Sequence, residues 1–513
     1  MKKKLKNLKG LFLNIFLGIF ITAAFFGILE ISAQKINNTI LKDKIAEIDL
    51  KTKFEQVYIP PFLPKDKDSL RVFVYGGSTV QGIPFSDVGF VTQLDYQLHQ
   101  LLGQKSIEVT NFGWSGHNST MVRFLVKRTV AENPDLLVVY TGHNEFIYPQ
   151  LDYYPLLKTL TFLKNRSNLL KTIMFLQKSL KKNEQSADQQ IDQKRPAFRK
   201  NRLFFALKML IFRQNVRAIV ETARQAKIPL ILCTPVSNIT AWAPIERKVT
   251  VINEPEDYKE DLSEAKNLLN GGSLKEAEKL VDSALSKYPD DAPLLFLKAE
   301  IASQSGQLQA RDFYIKAKDF DLIPWRTTTD QNNFIRSLEN KKTVWVADVE
   351  NEFFSHSPNN LPGFPLIIDN VHPTKEGNYL IAKTIADLLQ KEKFIKKDWW
   401  NDTQKPLTLA EFLKQIQFSP QDEFQIYFDT ARYCMKNPFF QFKTAQSYLD
   451  RAEQIDKKTW KTKALNASLA FLRNDEQKAK AFLFEAIKRN HSPFSPAQIA
   501  EIPYLIQFLS LQR

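Results

Sequence analysis

Arg71-Val72-Phe73-Val74-Tyr75, Leu136–Tyr140, Ile228–Cys233 and Thr343–Asp348 are short β-type runs in which apolar residues follow one another. A strand reads this way when both of its faces are buried, as in a parallel sheet covered by helices on each side. Ile107–Asn111 adds a fifth run, and helix-type stretches separate them: Gly89–Leu102, residues 202–226 and Lys375–Leu389. This alternation predicts an α/β fold with a doubly wound parallel sheet. Such sheets bind ligands beyond the carboxyl ends of their strands.

Four segments fall at or near those ends. They are Gly76-Gly77-Ser78-Thr79, Asn111-Phe112-Gly113-Trp114-Ser115-Gly116, Gly142-His143-Asn144-Glu145 and Asp369-Asn370-Val371-His372. Each alone has a bland reading: a capped turn, a turn asparagine, the start of a surface helix. In this order they supply what acyl transfer needs. A serine hydroxyl is a poor nucleophile until a base takes its proton, and His372 is that base for Ser78. Asp369, three residues earlier, accepts from the other imidazole nitrogen and fixes the tautomer. The backbone N–H groups of Ser78 and Gly116 and the Asn144 amide are the donors for an oxyanion. No Gly-Lys-Ser/Thr follows the glycines, which argues against a phosphate-binding loop.

The ordered set resembles the SGNH (GDSL-type) serine hydrolase and acyltransferase superfamily over residues 68–250 and 322–392. Gly76-Gly77-Ser78 stands where that family has Gly-Asp-Ser, with Gly77 in place of the aspartate. Gly116 matches the oxyanion glycine, Asn144 the asparagine of the third block (Glu145 replacing its last aspartate), and Asp369 and His372 the Asp-x-x-His block. The resemblance implies a flavodoxin-like order for the doubly wound sheet, Ser78, Asp369 and His372 as catalytic residues, an oxyanion hole of Ser78, Gly116 and Asn144, and no cofactor or metal. Asn238 and Arg326, polar residues near strand ends, are weaker candidates for substrate binding. His117 and His143 neighbour the blocks and read as structural hydrogen-bonding residues.

The rest of the chain gives the setting. Leu11–Leu29 is 19 residues without a charge, preceded by five lysines. At 1.5 Å per residue it reaches across most of a bilayer core about 30 Å thick. The flanking charges place the N-terminus in the cytoplasm and the body of the protein on the extracytoplasmic side. A cleaved signal peptide ending near Ile31-Ser32-Ala33 is the competing reading. The net charge of +15 suits anionic lipid or acidic glycan, and no basic-aromatic motif points to nucleic acid. Cys233 and Cys434 are too few and too far apart for a metal site or disulfide framework.

Two stretches repeat at tetratricopeptide spacing. Gly272 and Gly306 lie 34 apart, Ala277/Ala284 recur as Ala310/Ala317, and Ala445/Ala452 recur 34 later as Ala479/Ala486. Units this few must lean on a neighbouring core. The organisation read from these features is a tail and transmembrane anchor (1–30), a linker (31–67), a catalytic domain in two parts (68–250 and 322–395), an all-α tetratricopeptide-like insert (251–321) and a C-terminal helical repeat-like domain (396–513). Residues 146–182 crowd aromatic and leucine side chains, read as a packed helical hairpin or as a lid or acyl-binding surface.

The function expected is a membrane-anchored esterase or O-acyltransferase. It acts on an ester, O-acetyl groups included, of an envelope glycan or lipid. The rival class is a non-catalytic scaffold that binds a protein partner through its helical repeats.

Overall fold

The computed structural model describes residues 25–32, 34–35, 59, 62, 64–66, 68–103, 106–146, 167, 169, 202–244, 256–401, 403–435, 442–505 and 509. They fall into two compact units, Met1–Pro61 with Leu151–Lys194, and Phe62–Gln150 with Arg195–Arg513. In the first unit residues 25–32 are helical, and Glu30 accepts hydrogen bonds from the Ser167 hydroxyl (2.6 Å) and the Leu169 N–H (3.1 Å). Among the described residues no helix is long and apolar enough to cross a membrane. Most of the predicted anchor, Leu11–Leu29, lies outside them, as do most of residues 147–182.

The second unit is built on a five-stranded sheet, all parallel: β1 (Ser69–Gly76), β2 (Ser106–Gly113), β3 (Leu136–Tyr140), β4 (Leu230–Cys233) and β5 (Val344–Ala347). The spatial order is β2-β1-β3-β4-β5, the flavodoxin-like order. Every residue of β1, β3 and β4 is buried, which is why their sequences read as unbroken apolar runs. β2 is an edge strand and is largely half-exposed, so Glu108 and Thr110 are tolerated there.

Helices follow the strands. The short α1 (Ser78–Gln81) comes directly after β1, then α2 (Phe90–Leu102), α3 (Ser119–Thr129) and α4 (Arg202–Ala226). On one face of the sheet Leu94, Leu98 and Leu101 of α2 pack with Leu70, Val72 and Val74. Ile381, Ile385 and Leu389 of a later helix join that core at helical spacing. On the other face Tyr75 reaches the Thr129 hydroxyl of α3 (2.6 Å). The order reverses between β1 and β3, so the crevice at their carboxyl ends is the place for a site.

The sequence 256–319 forms four helices: α5 (Glu256–Asn270), α6 (Leu274–Lys287), α7 (Ala292–Gln304) and α8 (Ala310–Asp319). Ala277, Ala284, Ala310 and Ala317 are all buried, as small residues between close helices should be. Gly272 and Gly306 both take positive φ (79° and 69°), ending α5 and α7 with the same left-handed turn. The insert does lean on its host. Leu295, Phe296 and Tyr314 share an apolar cluster with Ile239 and with Phe354 of the α/β body.

Next come α9 (Thr329–Arg336), α10 (Val349–His356) and α11 (Lys375–Glu392), the helix whose leucine and isoleucines complete the first face. The C-terminal stretch then adds α12 (Leu409–Gln415), α13 (Pro420–Cys434), α14 (Phe442–Ile455), α15 (Trp460–Leu472), α16 (Glu476–Asn490) and α17 (Pro496–Glu501). Ala445, Ala452, Ala479 and Ala486 are fully buried between these helices. Their core also takes in Ile368, which belongs to the loop ahead of α11.

Candidate active site

Ser78 is the first residue of α1, presented at the end of the buried strand β1 by Gly76-Gly77. Its Oγ lies 2.7 Å from Nε2 of His372, 294 positions away in sequence. His372 Nδ1 is 2.6 Å from Oδ2 of Asp369. Asp369 is buried, and its other oxygen accepts the N–H groups of Val371 (2.9 Å) and His372 (2.8 Å). Burial alone would raise this carboxyl's pKa. The His372 ring and these hydrogen bonds outweigh it, and the net direction is downward. An ionised Asp369 can only accept, so His372 carries its proton on Nδ1. Nε2 is left to accept from the Ser78 hydroxyl.

The loop that carries the pair is fixed at both ends. Ile368 N–H donates to the His372 carbonyl (2.8 Å), and Ile367 bridges Pro373 in antiparallel fashion. Thr374 caps α11, accepting from the Gly377 N–H. Such backbone ties hold the His372 side chain in place without help from a ligand.

Gly116 has φ 78°, a left-handed conformation that a side chain would strain. Gln81 secures its loop: Oε1 accepts from the Ser115 N–H (2.8 Å) and the Ser115 hydroxyl (3.0 Å). The Asn144 amide donates to the His117 carbonyl (2.8 Å). A Cβ built on Gly77 would come within 2.4 Å of the Asn144 amide nitrogen, so a side chain at 77 requires that amide to shift. Glu145 accepts from the Ser119 N–H and hydroxyl, both at 2.8 Å, and so ties the third block to the start of α3.

Ser78, Gly116, Asn144 and His372 line one open pocket of about 240 Å³. Ile83, Ser115, Trp325, Asn370, Val371 and Tyr433 complete its wall. Trp325 follows the insert, and Tyr433 belongs to α13. Both were missed in sequence, since neither sits in a motif.

Comparison with solved structures finds similarity at low scores. An acetyl xylan esterase is 14% identical with a TM-score of 0.27, covering 62% of this chain and 100% of its own. An acetylxylan esterase from Geobacillus stearothermophilus is 13% identical with a TM-score of 0.25, covering 66% and 99%. A gut microbial diltiazem-metabolizing enzyme is 11% identical with a TM-score of 0.28, covering 83% and 96%. No family model matches the chain, and no curated protein does. These scores are low, and the functional reading rests on the geometry of the site itself.

Asn238 and Arg326 do not line the pocket. Arg326 is buried, pairs with Asp321 (3.0 Å) and donates to the carbonyls of Asn238 and Trp242 (3.0 and 2.8 Å). Asn238 accepts from the Ala241 N–H (2.8 Å). Arg326 is taken up by a buried ion pair and two backbone carbonyls, and the Asn238 side-chain oxygen by a backbone N–H.

His143 and His117 are buried neighbours. Nδ1 of His143 accepts from the Thr327 N–H (3.2 Å). Burial drives the His143 pKa down to about 3 and that of His117 to about 4. Both are depressed from 6.5, so the folded state resists protons that the unfolded chain accepts as pH falls below 6.5. Stability is therefore intact above pH 6.5 and is lost on acidification. The loss is about 1.4 kcal/mol per pH unit per histidine once the unfolded form is protonated. Denaturant midpoints at pH 7 and 5 will fall in the native chain and fall less in His143→Gln.

Asn144→Ala, assayed on p-nitrophenyl acetate, is expected to lower kcat about 10²- to 10³-fold. A change in KM alone would mean that the amide only binds substrate.

Proposed function

We propose that this chain is a serine esterase or O-acyltransferase working through an acyl-serine intermediate. One observation carries the reading: Ser78, His372 and Asp369 are hydrogen-bonded in sequence, at 2.7 and 2.6 Å, at the wall of an open pocket. In the first step Ser78 Oγ attacks the ester carbonyl carbon while His372 Nε2 takes its proton. The Ser78 and Gly116 N–H groups and the Asn144 amide stabilise the oxyanion. Collapse breaks the acyl–oxygen bond, and His372 returns the proton to the leaving alkoxide. Water, or a sugar hydroxyl, then gives its proton to His372 and attacks the acyl-serine; the acyl–Oγ bond breaks, His372 returns the proton to Ser78 Oγ, and the acid or a new ester leaves.

The pocket of about 240 Å³ suits a small acyl group such as acetyl. Trp114, two residues before the pocket-lining Gly116, is 63% exposed and offers a flat face to a sugar ring. Both features support an O-acetylated glycan over a long-chain lipid. The apolar run Leu11–Leu29 supports a membrane anchor with the site on the extracytoplasmic side.

A fluorophosphonate probe should label the protein, and peptide mapping should place the adduct on Ser78. Absence of label on folded protein would leave the scaffold reading in its place. Incubation of an acetyl donor with and without an oligosaccharide acceptor separates the two activities. Acetate alone in both means hydrolase, and acetylated oligosaccharide means transferase.

A further inference from the structure

A second cavity, of about 630 Å³, opens where the α/β body meets the C-terminal helices. Its wall is made by the turn ahead of α2, by α2 itself, by the end of α12 and by the first half of α13. Three half-buried aromatic residues, Phe85, Tyr96 and Phe418, line it. Much of the remaining lining is polar. Gln415, Gln417 and Gln425 bring side-chain amides, which both donate and accept, and Asp87 and Asp422 bring carboxylates. No lysine or arginine is among the described residues that line it.

Two elements run from this cavity to the active site. The loop after α1 gives Ile83 to the catalytic pocket, and Phe85, Asp87 and Val88 to the second cavity. Helix α13 gives Tyr433 to the first, and Asp422, Gln425 and Ile426 to the second. Ile426, Thr430 and Tyr433 recur at helical spacing on one face of α13. From Ile426 to Tyr433 the helix rises about 10 Å. A small cavity of about 20 Å³, lined by Pro84, Phe85, Ile426 and Thr430 of the same two elements, occupies the interval.

We propose that this groove is a binding subsite for an uncharged glycan chain, holding sugar units beyond the one whose ester Ser78 attacks. It rests on the esterase reading for its role in turnover, and on the lining of the groove alone for binding. Sugar rings have apolar C–H faces that pack on aromatic rings, and hydroxyls that bond amides and carboxylates. An acidic glycan or an anionic lipid headgroup would meet Asp87 and Asp422 with no cation in the wall to offset them. A cationic peptide fits less well than a sugar. Asp422 already accepts from the Ser419 N–H (2.8 Å) and hydroxyl (2.6 Å), and three amides outnumber the two acids.

The test is calorimetric titration of the full chain with unacetylated hexasaccharides of glucose, xylose, mannose and N-acetylglucosamine, beside a galacturonic acid hexasaccharide and oligolysine. At least one uncharged sugar should bind, and the two charged probes should not. Phe418→Ala should weaken that binding about five- to tenfold, the worth of one aromatic contact. Gln415→Trp, which fills the groove from an exposed position and leaves the core untouched, should abolish it. Both variants should keep the native kcat/KM on p-nitrophenyl acetate, which is too small to span the two cavities, and should lose rate on the acetylated form of the sugar that binds. The proposal is overturned if no uncharged sugar binds the native chain, if both variants bind it as the native chain does, or if oligolysine or the acidic sugar binds in its place. If the native chain neither turns over ester nor labels at Ser78, the proposed function fails. The titrations with unacetylated sugar then still decide whether the groove holds a glycan.

Discussion

Ser78→Ala should lose esterase activity by about 10⁴-fold or more while leaving the fold intact. The side chain removed is small and part-buried at the mouth of the pocket, so little packing goes with it. What goes is the atom that attacks. His372 would keep its bond to Asp369, and Gly116 and Asn144 would keep their places, so substrate should still bind. The measurement is initial rate on p-nitrophenyl acetate beside a melting curve. Native-like activity in a correctly folded Ser78→Ala protein would sink the acyl-serine mechanism outright.

Asp369→Asn should cost about 10⁴-fold in kcat for a different reason. An asparagine amide placed at 2.6 Å from His372 Nδ1 presents a donor where an acceptor stood. The ring would then carry its proton on Nε2, facing the Ser78 hydroxyl with no lone pair to offer. The loop geometry should survive, because the retained side-chain oxygen still accepts from the Val371 and His372 N–H groups. The expected signature is a collapsed kcat with KM nearly unchanged, and little fluorophosphonate labelling. A loss confined to KM would show that Asp369 acts on substrate binding and not on the base.

The sheet was legible because its central strands are buried on both faces, and unbroken apolar runs are the record of that. That the four segments would meet was legible for a related reason. Each follows directly on, or is bonded to, a structure that the sequence announces. Tyr433 and Trp325 carry no such mark. Tyr433 is one aromatic among several in an amphipathic helix, and only the packing of α13 on the loop at 364–375 brings it to His372. Gln81 looks like an ordinary last residue of a helical turn, yet it holds the loop of Gly116. Asn238 and Arg326 erred in the other direction. Polar residues near strand ends suggest ligand contacts, but a buried loop consumes such groups to satisfy its own carbonyls. Position along the chain does not tell the two uses apart.

The absent side chain at Gly77 has a consequence for any attempt to redesign this site. The Asn144 amide nitrogen already occupies the space that a Cβ at 77 would point into, and the His117 carbonyl pins that amide. Residues 77 and 144 are thus one coupled choice in sequence space. A side chain introduced at position 77 alone would have to displace that amide, whereas varying both positions would explore a different way of placing it.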